Sequence, residues 1–251
     1  MEPPDVGDAV PAATVILVRD GPGGLEVLAI ERAQAMGFAG GAVAFPGGKV
    51  DPLDAPDPCS CSGFEGLDPA DALARVTAAR ETFEETGILL SKGPGVPAER
   101  RAELRQRSDR HELAFGTLLA DLGHRLAAES LKPFARWVPP PGIHRRFDTR
   151  FYVALPPPDE VHAADGTEAV TARWVTPAHL LAEADAGHVS LLFPTRCNLA
   201  RVAQFATAAA LWADPTPPPF IQPRIEGEWL RIPEGIGYPY TAERWERVRR
   251  A

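Results

Sequence analysis

Residues 68–87, Asp-Pro-Ala-Asp-Ala-Leu-Ala-Arg-Val-Thr-Ala-Ala-Arg-Glu-Thr-Phe-Glu-Glu-Thr-Gly, read as one helix with both ends written in. Asp68 suits the N-cap and Pro69 the first helical position. Asp71, three after the cap, gives a capping-box pattern with a shorter acid, and Gly87 is a C-terminal stop. On a wheel of about 100° per residue, Ala72, Leu73, Ala79 and Phe83 lie within about 60° of Val76 and form a stripe for burial. Glu84, Glu81 and Glu85 fall at about 80°, 140° and 180°, a separate acidic arc, with Arg80 between the two at about 40°. From there its guanidinium can reach a carboxylate and fix its rotamer. Glutamates spaced i, i+3 and i+4 repel by about 0.2–0.5 kcal/mol per pair. A hard divalent cation with oxygen ligands would reverse that sign. Such a helix demands a core along one side and a use for acid along the other.

Upstream stands the turn Phe45-Pro46-Gly47-Gly48-Lys49-Val50-Asp51. A Gly-Gly turn, then Arg80-Glu81-Thr82-Phe83-Glu84-Glu85-Thr86-Gly87-Ile88, resembles the Nudix box of the Nudix hydrolases. Thr82 stands where that pattern has an apolar residue. The resemblance implies a loop–helix–loop that binds magnesium or manganese and cleaves a diphosphate linked to another group. Gly48 and Arg80 are 32 positions apart, longer than the usual box, so an insertion occupies about 52–67. It reads as turn and loop, and long surface loops cost only about 0.6 kcal/mol per doubling. The early acid of the box then has three candidates, Asp51, Asp54 and Asp71.

The segment before the turn carries a second resemblance, to the coenzyme A diphosphatases among the Nudix enzymes. Arg32-Ala33, Gly41 and Phe45-Pro46-Gly47-Gly48 match their upstream motif in residue and spacing, while Gly37 occupies the position of a second arginine. Arg32 could pair with a phosphate, and the glycines would admit backbone close to a bulky ligand. The inserted box, together with Arg145-Arg146-Phe147-Asp148-Thr149, is similar to the long Nudix branch of the mammalian Nudix 19 type.

The rest of the chain supplies a scaffold. Positions 12–19 and 25–31 read as strands joined by the turn Asp-Gly-Pro-Gly-Gly, a hairpin. Leucines spaced three and four apart over 97–129 predict two or three helices, covering one side of the core as a substrate cap or a dimer surface. His111 and His124 in that stretch read as surface or hydrogen-bonded histidines. Strands are expected at 134–138, 145–155 and 168–175, and a helix opens at Thr176-Pro177. Glu168, six before Trp174, sits where many Nudix enzymes carry an extra metal ligand or base. An alanine-rich helix is expected over 199–213, then short strands near 221–225 and 229–232.

Net charge is −8, which argues against nucleic-acid binding over the whole surface. Three cysteines give no disulfide framework and Cys59-x-Cys61 reads as loop, so a reducing, cytoplasmic setting is expected. No basic leader and no run of eighteen apolar residues is visible, and no membrane span is expected.

The expected fold is an α/β Nudix sandwich with a mixed central sheet: one domain over 1–251 with the insertion at about 52–67 and helical additions at about 97–130 and 190–213. The resemblance implies hydrolysis of coenzyme A or an acyl derivative to 3′,5′-ADP and a 4′-phosphopantetheine species. Glu81, Glu84, Glu85 and the Gly47 carbonyl would hold Mg2+ or Mn2+. Glu84 or Glu168 would take the proton, Arg80 would orient the glutamates, and Arg32, Gly41, Phe45 and Gly48 would meet a small nucleotide-diphosphate substrate. Another nucleotide (NADH, ADP-ribose, capped RNA) and a non-catalytic nucleotide-binding domain are the alternatives.

Overall fold

The computed structural model describes residues 6–34, 40–143, 146–158 and 162–250. Gly37 and Arg145, both singled out in the sequence, lie outside the described residues. In chain order the strands and helices begin with β1 (Val10–Gly21), β2 (Gly24–Arg32), β3 (Ala42–Ala44), β4 (Gly47–Lys49), a 3-10 turn (Pro52–Asp54) and β5 (Cys61–Ser62). Then come α1 (Pro69–Thr86), α2 (Ala98–Asp109), α3 (Phe115–Asp121), β6 (Leu126–Ala127), β7 (Lys132–Trp137), β8 (Phe147–Ala154) and β9 (Ala169–Val175). The remainder is α4 (Pro177–Asp185), β10 (Ser190–Leu191), α5 (Phe193–Val202), α6 (Ala208–Ala213), β11 (Phe220–Ile221), β12 (Arg224–Glu226), β13 (Trp229–Arg231), β14 (Ala242–Arg244) and α7 (Trp245–Arg250).

The central sheet runs β10-β3-β2-β1-β8-β7-β11, with β4 added on β1 and β9 on β2. It is mixed: β1 lies parallel to β8 from Val10↔Phe147 to Leu17↔Ala154, and antiparallel to β2 and β4. β1 is long enough to serve both. Its first part, Ala12 to Thr14, pairs with β4, and its last part, Val18 to Gly21, pairs with β2.

Alternation along the strands assigns the two faces. Ala13, Val15 and Leu17 of β1, with Tyr152 and Ala154 of β8, pack against Val76, Ala79 and Phe83 of α1 and Leu104, Phe115 and Leu118 of α2 and α3. Ile16, Val18, Phe151 and Val153 point the other way, onto Leu180, Phe193, Leu199 and Leu211 of α4–α6 and onto Tyr238. The sheet is therefore covered on both sides, an α/β/α sandwich.

Three expectations are corrected. The 97–129 stretch leaves the α-helix at Asp121; Leu126–Ala127 is a strand paired with β5, because the Arg125 and Leu126 N–H groups bond the Lys92 and Ser60 carbonyls, and a 3-10 turn (Ala128–Ser130) follows. The 199–213 helix is two helices, the second restarted by Thr207, whose hydroxyl accepts from the Ala210 N–H. Asp71 does not reach back to the cap; its carboxylate accepts from Arg75 Nε at 2.8 Å and from the Tyr152 hydroxyl at 2.7 Å. No helix among the described residues is long and apolar enough to cross a membrane.

Candidate active site

α1 begins and ends where its caps dictate. The Asp68 carboxylate accepts from the Asp71 N–H, and Gly87, at φ 76°, returns its N–H to the Phe83 carbonyl. What the wheel did not show is how little of α1 meets solvent. From Ala74 to Thr86 every residue is buried except Glu81, which is partly exposed. Thr82, in the slot for an apolar residue, is buried and donates its hydroxyl to the Ala78 carbonyl at 2.7 Å. The acidic arc is therefore packed, and each acid needs partners.

Arg80 supplies most of them. Its Nε donates to Asp54 Oδ1 at 2.7 Å, Nη2 to Asp54 Oδ2 at 3.1 Å, and Nη1 to Glu84 Oε2 at 2.6 Å; Nη1 also lies 2.9 Å from Glu81 Oε1. Of the three acids left open by the sequence, Asp54 is the one on Arg80. It is fully buried and also accepts from the Thr77 hydroxyl and the Asp51 N–H. Asp51 instead caps the 3-10 turn through the Leu53 N–H. Burial works against the Arg80 charge, but the bonds to Asp54 and the fields of Glu81 and Glu84 more than offset it and raise its pKa.

Glu84 has both oxygens taken: Oε2 by Arg80 and Oε1 by the Ser108 hydroxyl at 2.6 Å. That placement differs from the expectation of Glu84 as a cation ligand or base, because α2 docks on this turn of α1. Arg105 of α2 adds a bond from Nε to the Glu84 carbonyl at 2.6 Å, a cation at the negative end of the helix.

Glu81 and Glu85 are left on the other flank. Glu85 Oε2 accepts from the Gly47 N–H at 2.8 Å, and Arg32 Nη1 stands 3.9 Å from its Oε1. Burial pushes Glu81 up to about 7, Arg80 opposing and Glu84 and Glu168 adding to the rise. Glu85 is raised well above the carboxylate range by burial and then by Glu81, with Glu168 contributing again. Glu168, exposed at the start of β9, is thus near enough for its charge to be felt by both. Asp165 shapes the loop that brings it there, accepting from the Glu168 and Ala169 N–H groups at 2.9 and 2.6 Å.

Two glycines fit this arrangement by lacking a side chain. A Cβ on Gly48 would lie 2.4 Å from Glu81 Oε1; one on Gly47 would lie 2.4 Å from the Ala13 carbonyl oxygen. Gly41, at φ 75°, donates its N–H to the Arg32 carbonyl and closes the loop that follows β2. Phe45, expected at the substrate, is instead buried among Val43, Ile16 and Phe193 in the core beneath the other face. Arg32 stands beside Glu85, with its Nε buried and without a hydrogen-bond partner.

The result is a cleft of about 90 Å³. Its walls are Arg80, Glu81, Glu84 and Glu85 of α1, Asp109 and His111 at the end of α2, and Asp165 and Glu168 before β9. A larger groove of about 300 Å³, between Pro140–Pro141 and the segment of Gln222 to Ile225, holds no carboxylate. Asp165 had a sequence signal, the Asp-Gly-Thr turn. Ser108, Asp109 and His111 had none that pointed here.

Among the described residues, no three His, Cys, Asp or Glu side chains stand ready as a metal cage. The donor chemistry nonetheless suits a hard cation. Glu81, Glu85 and Glu168 offer only oxygen, and one shared Arg80 with a more distant Arg32 leaves acid in excess.

A mixed sheet between helical layers, with a glutamate-bearing helix against a Gly-Gly turn, defines a Nudix fold. The crystal structure of a Nudix hydrolase from Alicyclobacillus acidocaldarius superposes with a TM-score of 0.72 at 28% identity, covering 82% of this chain and 96% of that one. Residues 62–202 match the model of the NUDT19 Nudix domain, and the chain belongs to that family. The matched span contains Arg80, the three glutamates and Glu168, and begins after Gly47–Gly48. The acyl-coenzyme A diphosphatase NUDT19 of Xenopus laevis is 25% identical over 229 residues, and that of Homo sapiens 27% over 237. Those alignments take in 72% and 75% of this chain; it spans 60% and 63% of the relatives' length.

Proposed function

We propose that this chain is a divalent-cation-dependent Nudix diphosphatase acting on coenzyme A or an acyl-CoA, with 3′,5′-ADP and a 4′-phosphopantetheine species as products. The observation that carries the reading is a buried excess of carboxylate: Glu81 and Glu85, each disfavoured as an anion by burial and by its acidic neighbours, beside Glu168. The names of the curated relatives support the substrate class.

Glu81, Glu85 and Glu168 would hold Mg2+ or Mn2+, with the Gly47 carbonyl as a further oxygen. When bound, such an ion neutralises diphosphate oxygens and lowers the pKa of a water. The Gly47 N–H fixes the Glu85 rotamer, and Gly48 leaves room for the Glu81 carboxylate. Arg80 orients Glu81 and Glu84, and Asp54 anchors Arg80. Glu168, exposed at the cleft lip, accepts the proton of the attacking water. Arg32, with an unpaired Nε, takes a phosphate oxygen.

Liquid chromatography of coenzyme A incubated with the chain and Mg2+ tests this. Equimolar 3′,5′-ADP is expected, abolished by a chelator and reduced at least about a thousandfold by Glu85→Gln. The same substitution removes a buried repulsion, so the metal-free variant is expected to melt above the wild type. Turnover of NADH, ADP-ribose or capped RNA without turnover of coenzyme A would move the substrate. Nucleotide binding with no turnover in the whole panel would leave a non-catalytic domain.

A further inference from the structure

We infer that His111, delivered by the helical addition, is a substrate-contacting residue that donates its imidazole N–H to a phosphate oxygen in the cleft; this rests on the diphosphatase reading above. The cleft wall poses a problem for any diphosphate. Six of its eight residues are acids, and Arg80 has spent its guanidinium on Asp54, Glu84 and Glu81. His111 is the remaining wall residue with a side-chain donor. Its ring is half exposed and stands 3.8 Å from Asp51 Oδ2, beyond hydrogen-bond distance, so it can turn to an incoming anion without losing a bond.

The backbone carries an independent sign. His111 has φ 52°, the single non-glycine residue with positive φ among the described residues. Histidine is among the side chains enriched there, yet the conformation is uncommon and must be held. It is held by the His111 N–H on the Ser108 carbonyl at 2.8 Å and the Glu112 N–H on the Arg107 carbonyl at 3.0 Å. Ser108 is itself pinned to Glu84. A chain of bonds from α1 through Ser108 thus fixes the backbone that carries His111 at the wall of the glutamate cleft. A turn needing only to end α2 would be served by glycine.

The test compares the wild-type chain with His111→Gly and His111→Asn, both suited to the left-handed backbone, and with His179→Asn on exposed α4 as a control. Three readouts are taken: kcat/KM on coenzyme A with Mg2+; calorimetric affinity for α,β-methylene-ADP with Mg2+; and diethyl pyrocarbonate modification of wild-type histidines, read by mass spectrometry with and without that analogue. Both His111 variants are expected to lose about tenfold or more in kcat/KM and affinity at wild-type Tm, the worth of one hydrogen bond to a charged group. His179→Asn is expected to behave as wild type. In the unmutated protein the analogue is expected to protect His111 and leave His179 reactive, a result independent of how the variants fold. Wild-type affinity and kcat/KM in the His111 variants, or no protection of His111, would overturn the inference while leaving the diphosphatase reading intact. A wild type without turnover of any diphosphate would sink that reading instead, and protection by the analogue would still decide for or against His111.

Discussion

Asp54 illustrates how much one side chain carries here. It has no solvent exposure, and both its carboxylate oxygens are engaged, by Arg80, Thr77 and the Asp51 backbone. Breaking a buried pair by removing one partner costs about 3–5 kcal/mol, since the other charge is stranded. Asp54→Ala is therefore expected to lower stability by that amount in a denaturant titration. Asp54→Asn keeps the shape and part of the hydrogen bonding, so it should retain more of the fold while loosening Arg80 and, through it, Glu81 and Glu84. A kcat loss exceeding the stability loss in Asp54→Asn is the expected signature; equal stability in Asp54→Ala and wild type would refute the pairing. The candidates Asp51 and Asp71 could not be separated from Asp54 in the sequence, because all three are aspartates near turns. Burial separates them, and burial is tertiary.

At the scale of elements, β4 and α1 work as a pair held at close range by two glycines. The neighbours of the two positions differ in kind. A Cβ on Gly48 meets the far end of a flexible Glu81 side chain, whereas a Cβ on Gly47 meets the Ala13 carbonyl and the Thr14 Cα. Gly48→Ala is accordingly expected to displace Glu81 and weaken Mg2+-dependent activity by at least about tenfold, with stability changed by less than about 1 kcal/mol. Gly47→Ala is expected to cost more stability, because backbone must move, and to free the Glu85 rotamer. Melting curves beside activity assays distinguish the two, and identical behaviour would contradict the geometry. α2 is the less foreseeable partner. Its pattern predicted a helix over the core, and Leu104 is indeed fully buried. That Arg105 and Ser108 would both bond Glu84 depends on where the helix lands.

Over the whole molecule, the packed acids make the metal-free protein sensitive to pH in a stated direction. The unfolded chain releases the Glu81 proton near the ordinary value of 4.5, and the folded chain holds it to about 7. Folded protein binds more protons across that interval, so stability falls as pH rises from about 4.5 to about 7 and stays reduced above it. Glu85 acts in the same sense. Mg2+ competes with those protons, so its stabilising effect is expected to be larger at pH 8 than at pH 5. Thermal melts at both pH values, with and without Mg2+, check this; a metal-free protein gaining stability over the interval would contradict it. The Nudix sandwich was legible through the resemblance of the Gly-Gly turn and of Arg80–Gly87 to the Nudix box, while Asp68 and Gly87 delimit α1 by local chemistry alone. The spacing placed the three glutamates and Arg80 on one helix, and the resemblance marked Glu168 just before a strand. Phe45, expected at the substrate, lies in the core, and the partners of Glu84 were not foreseen, since a motif does not reveal which side of a turn faces the core or where an inserted helix docks. Sequence determined which groups can ionise, cap and alternate; tertiary packing decided which carboxylates lose their water, and that loss sets their partners and their charge.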